Sequence, residues 1–397
     1  MAGRVEYEPV SVKTVLAELK DTAELLVDLS FSAVLFGSDD VAKEVLELER
    51  RVEELQFQAW MSLLLAARNP DDAEALAPVV GVVGAAELIS DAAGDIAKIV
   101  LEDVGLPEAM RAALPEATEV LVRRELQSGA ALDGRGLGER NLETATGVRV
   151  IAVRRASEWI LNPDRDTTLQ AGDVLLLRGS AAGLAEVVPE VTGTPYEEPP
   201  SPTPDIADLE RAVDSIVVMK EMSELAVDLA YGSVLFDAPE LAEEVVELEA
   251  EVDALKSRLE AWTLRAASRV DDPVRLRGLV HLATSTEVIS DAALDISDGV
   301  RRGLDVHTVV QEAVEESDEV FVRETVAAGA ALDGATIGEQ ALRTETGMRV
   351  IAVRRPAESE WIVQPTGDTR IRAGDVLLAK GTRAGGERLH ALARDSP

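Results

Sequence analysis

Arg149-Val-Ile-Ala-Val-Arg-Arg155 returns unchanged as residues 349 to 355, and Gly129-Ala-Ala-Leu-Asp-Gly134 returns unchanged as 329 to 334. Glu24-Leu-Leu-Val-Asp28-Leu29 recurs as Glu224-Leu-Ala-Val-Asp228-Leu229, and Glu87-Leu-Ile-Ser-Asp91 recurs as Glu287-Val-Ile-Ser-Asp291. All four pairs are offset by 200 residues, and the register holds until two residues are added around Ala357 to Ser359. The chain is therefore a tandem duplication, the organisation that a search for internal repeats is meant to find first. Between the copies lies Thr192-Gly-Thr-Pro-Tyr-Glu-Glu-Pro-Pro-Ser-Pro-Thr-Pro204, whose prolines oppose helix and ladder and predict a semi-extended linker.

Each copy has a helical first half and a mixed second half. Val12, Val15, Leu16, Leu19, Ala23 and Leu26 recur at helical spacing. Val41, Val45, Leu48, Val52 and Leu55 step by four and three, and the series repeats as Leu241, Val245, Leu248, Val252 and Leu255. Such heptad-like steps predict long helices packed at shallow angles. A third helix is expected from near Asp72, matched by the cap-then-proline pair Asp272-Pro273, to about Asp103. Short connections make consecutive helices antiparallel, so each first half reads as a three-helix bundle. A short linking helix is expected near Pro107 to Leu114. Beyond it the period changes: Val120 to Val122, Val148 to Arg155, Glu158 to Leu161 and Asp173 to Arg178 read as strands, and Leu137 to Leu142 as one or two helical turns.

Composition narrows the function. The 397 residues carry 39 Lys plus Arg against 74 Asp plus Glu, a formal net charge of −35. Without a basic run, such a surface repels nucleic acid and anionic membranes. Only seven of the basic residues are lysine, a bias resembling proteins of salt-accumulating, halophilic organisms, in which molar salt screens the self-repulsion. Cysteine is absent, so disulfides, thiolate metal sites and cysteine nucleophiles are excluded. His281, His307 and His390 show no zinc-ligand spacing. The longest apolar stretch, Ala75 to Ala86, holds Pro78, Gly81 and Gly84 and reads as too short to span a bilayer. With no leader-like N-terminus the expected location is cytoplasmic. No nucleophile elbow, P-loop or dinucleotide fingerprint occurs, so no catalytic activity is expected.

The second half of each copy carries a resemblance. Gly134-x-x-Leu137-Gly-Glu139, Gly147 to Arg155, Trp159-Ile, Pro163 and Leu169-Gln-Ala-Gly-Asp173-Val-Leu-Leu-Leu-Arg-Gly179, with Gly374-Asp375-Val-Leu-Leu-Ala-Lys-Gly381 in the second copy, resemble the TrkA C-terminal (RCK-C) family. The helical half, with its acidic steps Glu87-x-x-x-Asp91-x-x-x-Asp95 and Glu287-x-x-x-Asp291-x-x-x-Asp295, resembles the PhoU family. The joined domains resemble archaeal proteins described as potassium-channel related. The resemblance implies an α+β chain with PhoU-like bundles at 8–104 and 208–304, RCK-C α/β sandwiches at 115–191 and 315–395, and a linker at 192–207. It implies a cytosolic regulatory or ligand-sensing subunit of a cation transport system, potassium foremost, peripheral to an integral-membrane channel or transporter. The alternative is a PhoU-like metal-binding adaptor for a phosphate or magnesium transporter. The ungapped repeat predicts that the two RCK-C halves pair within one chain, giving a monomer with an internal pseudo-two-fold, or a homodimer.

Two sets of residues are candidate sites. Side chains four apart on a helix lie about 6 Å from each other, so Glu24 with Asp28 and Glu87 with Asp91 and Asp95 each present a row of hard oxygen donors. In an up-down-up bundle the two rows are expected level, a set suited to Mg²⁺, Ca²⁺ or Mn²⁺. Glu224, Asp228, Glu287, Asp291 and Asp295 repeat it, and solvated acidic surface is the competing reading. The second set is the recurrent basic cluster of Arg149 with Arg154 and Arg155, repeated as Arg349, Arg354 and Arg355. Strand alternation puts Arg149, Ile151 and Val153 on one face. Some RCK-C domains bind cyclic di-AMP across a two-fold, and the resemblance implies such a site from Arg149, Ile151, Pro163, Arg349, Ile351 and Pro365. Ion pairs with nearby acids are the alternative role for these arginines.

Overall fold

A computed structural model describes residues 12–67, 69–106, 120–196, 206–303 and 319–394, apart from 141, 143–145, 157, 162, 164–165, 341, 343–345, 347, 359 and 364. The first copy contains helices α1 (Val12–Phe36), α2 (Asp39–Ala66), α3 (Pro70–Ala75) and α4 (Ala77–Leu101), strand β1 (Val120–Glu125), the single turn α5 (Leu137–Arg140), strands β2 (Arg149–Arg155), β3 (Glu158–Leu161) and β4 (Val174–Gly179), and helix α6 (Ala181–Thr192). The second contains α7 (Ala207–Leu235), α8 (Pro239–Ala267), a 3-10 turn at Pro273–Leu276, α9 (Arg277–Arg301), β5 (Glu319–Thr325), β6 (Met348–Arg355), β7 (Glu360–Val363), β8 (Val376–Thr382) and α10 (Arg383–Arg394). The expected linking helix at 107–114 and most of the proline-rich linker lie outside the described residues.

The heptad steps become the buried stripes of α2 and α8: Val41, Val45, Leu48, Val52 and Leu55, and Leu241, Val245, Leu248, Val252 and Leu255. Ser38 caps α2 by accepting from the Val41 amide at 3.3 Å, with Asp39 and Asp40 in the first turn, where negative charge complements the helix dipole. Asp272 caps the 3-10 turn, accepting from the Val274 amide at 3.1 Å. The third helix continues past the point where the sequence reading stopped its apolar run. Pro78 falls at the helix start, where its missing N–H costs nothing, and Gly81 and Gly84 are taken in stride. By length and composition alone the run Ala73–Leu101 reaches what a bilayer crossing needs. Here it is the central helix of the bundle: Val79, Val82, Val83, Ala86, Ile89, Ala93 and Ile96 are buried, and it packs on α1, α2 and α9.

Each second half is a four-stranded antiparallel sheet, ordered β1-β4-β2-β3 and β5-β8-β6-β7. Helix α6 covers the first sheet and α10 the second. Neither helix was placed by the sequence reading. A bulge between Val150 and Ala152, repeated between Val350 and Ala352, interrupts the period-two alternation expected of these strands. Beyond the bulge alternation resumes, with Arg154 aimed at the bundle and Arg155 lying against Asp173.

The copies meet differently from the expectation. Helix α4 runs along α9 and α1 touches α7, while no packing of that extent joins the two sheets among the described residues. Pairing of the RCK-C halves within one chain is therefore corrected: the pseudo-two-fold lies between the bundles. The reason is apolar area, because α4 and α9 each bury a face too wide for their own bundle to cover, and one hydrophobic core runs through both bundles. Close approach is bought with small residues. An ideal Cβ on Gly278 would sit 2.4 Å from the Gly105 carbonyl oxygen, whereas one on Gly84 meets nothing within 4 Å. Gly278→Ala is therefore expected to destabilise by about 1–3 kcal/mol through overpacking, and Gly84→Ala to stabilise by up to about 1 kcal/mol through helix propensity. Denaturant unfolding of the two variants checks both signs.

Candidate functional site

Glu44 sits on the face of α2 next to the heptad stripe and is buried, its side chain 5 % exposed. It is held from the sheet by two arginines. Arg123 of β1 donates through Nε to Oε1 at 2.9 Å; Arg154 of β2 donates through Nε to Oε2 at 2.7 Å and through Nη2 to Oε1 at 2.6 Å. Glu244 repeats the arrangement with Arg323 Nε at 2.8 Å and Arg354 Nη2 at 2.8 Å, and the Arg354 guanidinium also lies over the Trp361 ring at 5.9 Å. These clamps fix each sheet to its own bundle. The signal was present in the sequence and passed over: an acid beside the stripe, retained at 44 and 244 together with Arg123, Arg154 and their repeats.

The first-helix acids go to the junction of the two bundles. Asp28 accepts from Arg178 of β4 at 2.8 Å and from Lys220 of α7 at 3.4 Å, and Lys220 lies 2.6 Å from Glu224. Lys20 pairs with Glu24, and Asp228 faces both of them across the junction. Two carboxyl pairs thus meet across α1 and α7, Glu24 with Asp228 and Glu224 with Asp28. Burial raises Glu24 to about 8, the Asp228 charge adding to it. Burial likewise raises Glu224 to about 8, with Lys220 opposing and Asp28 reinforcing. For Asp28, burial acts upward but the Arg178 and Lys220 charges outweigh it and hold the group down at about 2. Burial therefore favours the neutral form of Glu24 and of Glu224, each set beside an aspartate of the other copy.

The α4 acids lie elsewhere, so the two rows are not brought level. Glu87 receives a hydrogen bond from Gln56 of α2, Asp95 pairs with Lys98 at 2.9 Å, and Asp91 is raised by burial and by Glu87 and Asp95 beside it. The Glu49 carboxylate folds over Gly94, reaching the space a Cβ there would fill. In the second copy Lys256 pairs with Glu287, Asp291 is raised by burial and by Glu287 and Asp253, and Asp295 lies nearby. Among the described residues no three side chains are gathered as a metal ion requires. Arg149 and Arg349 are exposed at the start of β2 and β6, Ile151 is buried, and Ile351, Pro163 and Pro365 are half-buried. They stand on two sheets that do not pack together, so the structure does not assemble them into one pocket within the chain. Arg155 and Arg355 pair with Asp173 and Asp375, a turn clamp rather than a ligand site.

Two outcomes follow from this geometry. Glu44→Ala leaves two part-buried guanidinium groups without their carboxylate and is expected to cost about 3 kcal/mol or more, measured by denaturant unfolding. The second concerns pH. An acid whose folded value lies near 8 against an ordinary 4.5 contributes stability that is complete below 4.5 and is lost as pH rises toward 8. Glu24→Gln with Glu224→Gln is expected to flatten that decline, giving a higher melting temperature than wild type at pH 8.5 and a difference that shrinks toward pH 5. A parallel pair of curves excludes these groups as its source.

Family comparisons agree with this architecture. The family model described as the PhoU domain matches residues 16–100 and 216–300, and that described as the TrkA-C domain matches 121–191 and 321–394. Among solved structures, PhoU from Pseudomonas aeruginosa is 13 % identical, with 74 % of this chain and 96 % of that one covered and a TM-score of 0.41. The GsuK RCK domain is 14 % identical over 69 % of this chain, at a TM-score of 0.19, and the GsuK channel is 14 % identical over 68 %, at 0.18. This chain spans 63 % of the former chain and 52 % of the latter. It is the four domain matches, in order and in register with the internal repeat, that place the protein. The chain carries two PhoU domains and two TrkA-C domains, alternating in tandem.

Proposed function

We propose that this protein is a cytosolic regulatory subunit of a cation transport system, potassium first, in which the TrkA-C sheets sense a ligand and the bundles relay its binding to a membrane partner. One observation carries the reading. Each sheet is gripped by a buried carboxylate of its bundle, and Arg178 of the first sheet continues through Asp28 to Lys220 of the other bundle. A sheet that shifts on binding ligand pulls on charges buried between the copies, and such charges have few alternative partners. The TrkA-C and PhoU matches, with the resemblance of the joined domains to potassium-channel-related proteins, favour potassium as the client ion.

Cyclic di-AMP remains the ligand favoured by the TrkA-C resemblance. Because Arg149 and Arg349 do not meet within the chain, its site would be built between two chains, which predicts ligand-linked dimerisation. A second reading has one observation in its favour: Glu49 lies over Gly94 with the charges of Asp91 and Asp95 acting on it, a concentration of negative charge that attracts a divalent cation, as expected of a PhoU-like adaptor, although these acids are not gathered at coordinating distance.

The test is rubidium uptake, as a potassium tracer, in cells lacking the gene and complemented with wild type or Arg178→Ala, beside titration of cyclic di-AMP in molar KCl. Uptake altered by the deletion, restored by wild type and not by the folded variant, supports the regulatory reading. Unchanged uptake overturns it. A melting temperature raised by Mn²⁺ at matched ionic strength and lost in Asp91→Asn, with phosphate or magnesium uptake altered instead, establishes the second reading.

A further inference from the structure

The two copies are an internal control for one another, and they disagree at the far end of α2. Residues Leu55 to Ala67 contain no charged side chain, while the matching run Leu255 to Ala267 contains Lys256, Arg258, Glu260 and Arg265. Phe57, Trp60 and Leu64 fall at i, i+3 and i+7, one face of a helix. Phe57 is 42 % exposed, Trp60 36 %, Leu64 69 % and Leu65 63 %. Three of their counterparts are Ser257, Glu260 and Arg265, so the bundle fold does not require apolar residues there. Helices α2 and α4 run antiparallel, with Glu49 against Gly94 and Gln56 against Glu87. That register brings Val80, 36 % exposed, level with Leu64 and carries the stripe onto α4. The tip lies at the end of α2 opposite Glu44 and its sheet. A contiguous apolar face on a protein otherwise so heavily charged marks a place where something docks.

Charge selects the occupant. Exposed Glu53, Glu54, Glu74 and Glu87 rim the stripe. A second copy of this chain in a two-fold contact would set these acids against the same acids, and an anionic bilayer would meet both the rim and a net charge of −35. We infer that the tip of the first bundle docks an amphipathic helix of a partner protein, its apolar face on Phe57, Trp60 and Leu64 and its lysine or arginine flanks on the acidic rim. Cytosolic segments next to membrane spans are enriched in such basic residues. This names the contact surface for the regulatory role above and rests on that role for the partner's membrane setting. Because the second bundle has Ser257 and Glu260 in place of the two aromatic anchors Phe57 and Trp60, and keeps only Leu264 of the face, one helix binds per chain.

The test uses a fluorescein-labelled amphipathic peptide of about 18 residues with a leucine stripe and lysine flanks, and a twin with glutamate flanks. Fluorescence anisotropy against the full chain, across a KCl series, is expected to show saturable one-to-one binding of the lysine peptide only, weakening as salt screens the rim. The triple variant Phe57→Ser, Trp60→Glu and Leu65→Arg, which installs the residues that the second copy already folds with, is expected to bind at least about tenfold more weakly with unchanged secondary structure. No binding of the lysine peptide, or equal binding by the variant, overturns the proposal. So does a wild-type dimer that the variant converts to monomer in sedimentation equilibrium, which assigns the face to a second copy, or co-flotation of wild type with phosphatidylglycerol vesicles, which assigns it to lipid. Rubidium uptake altered in the gene deletion, together with failure of peptide binding, removes the docking face and leaves the regulatory reading standing.

Discussion

A carboxylate buried between a helix and a sheet cannot be left alone, and two such carboxylates organise this molecule. Glu44 and Glu244 are withdrawn from water on α2 and α8, and each is met by two guanidinium groups from strands on either side of a third, β1 and β2 about β4 in one copy and β5 and β6 about β8 in the other. The desolvation cost of the glutamate is offset only when both arginines are in place with good hydrogen-bond geometry. That condition sets the angle between sheet and bundle far more narrowly than apolar contact does, because hydrophobic burial is non-directional. Arg154 and Arg155 follow one another on β2, so strand alternation sends them to opposite faces, one to Glu44 and the other to Asp173.

Packing between the copies has a different character. Helices α4 and α9 approach where glycine and alanine permit it, and the apolar core continues from one bundle to the other. Set beside that contact is the charged junction of α1 and α7, where Lys20, Glu24 and Asp228 face Lys220, Glu224 and Asp28 in near-symmetric array. At the sheets Arg178 reaches Asp28, and Lys380 at the matching position stands over the Phe321 ring. The copies differ in sequence at the far end of the second helix, where Phe57 and Trp60 of the first bundle are matched by Ser257 and Glu260.

Much of this was legible in the chain. The 200-residue offset, the heptad stripes and the turn glycines gave the copies, the bundles and the strands, because each is a local pattern read along one element. The acidic steps were equally plain as steps, yet their partners were not. Glu24 and Glu87 look alike in sequence, but one ends between two bundles beside Lys20 and the other on an exposed face beside Gln56. Which helix face meets which neighbour depends on packing between elements far apart in the chain, and spacing within a helix carries no record of it.

The amino-acid sequence by itself determined the duplication, the long bundle helices, the strands and the absence of cysteine chemistry, since these depend on residue identity and near neighbours. Tertiary structure alone decided that the bundles join the copies rather than the sheets, that Glu44 and Glu244 are the sheet clamps, and that Arg149 and Arg349 stay apart. The physical reason lies in the range of the forces. Backbone propensity and hydrophobic periodicity act within a few residues, whereas the partner of a buried charge is fixed by whichever opposite charge the completed packing places within hydrogen-bond reach.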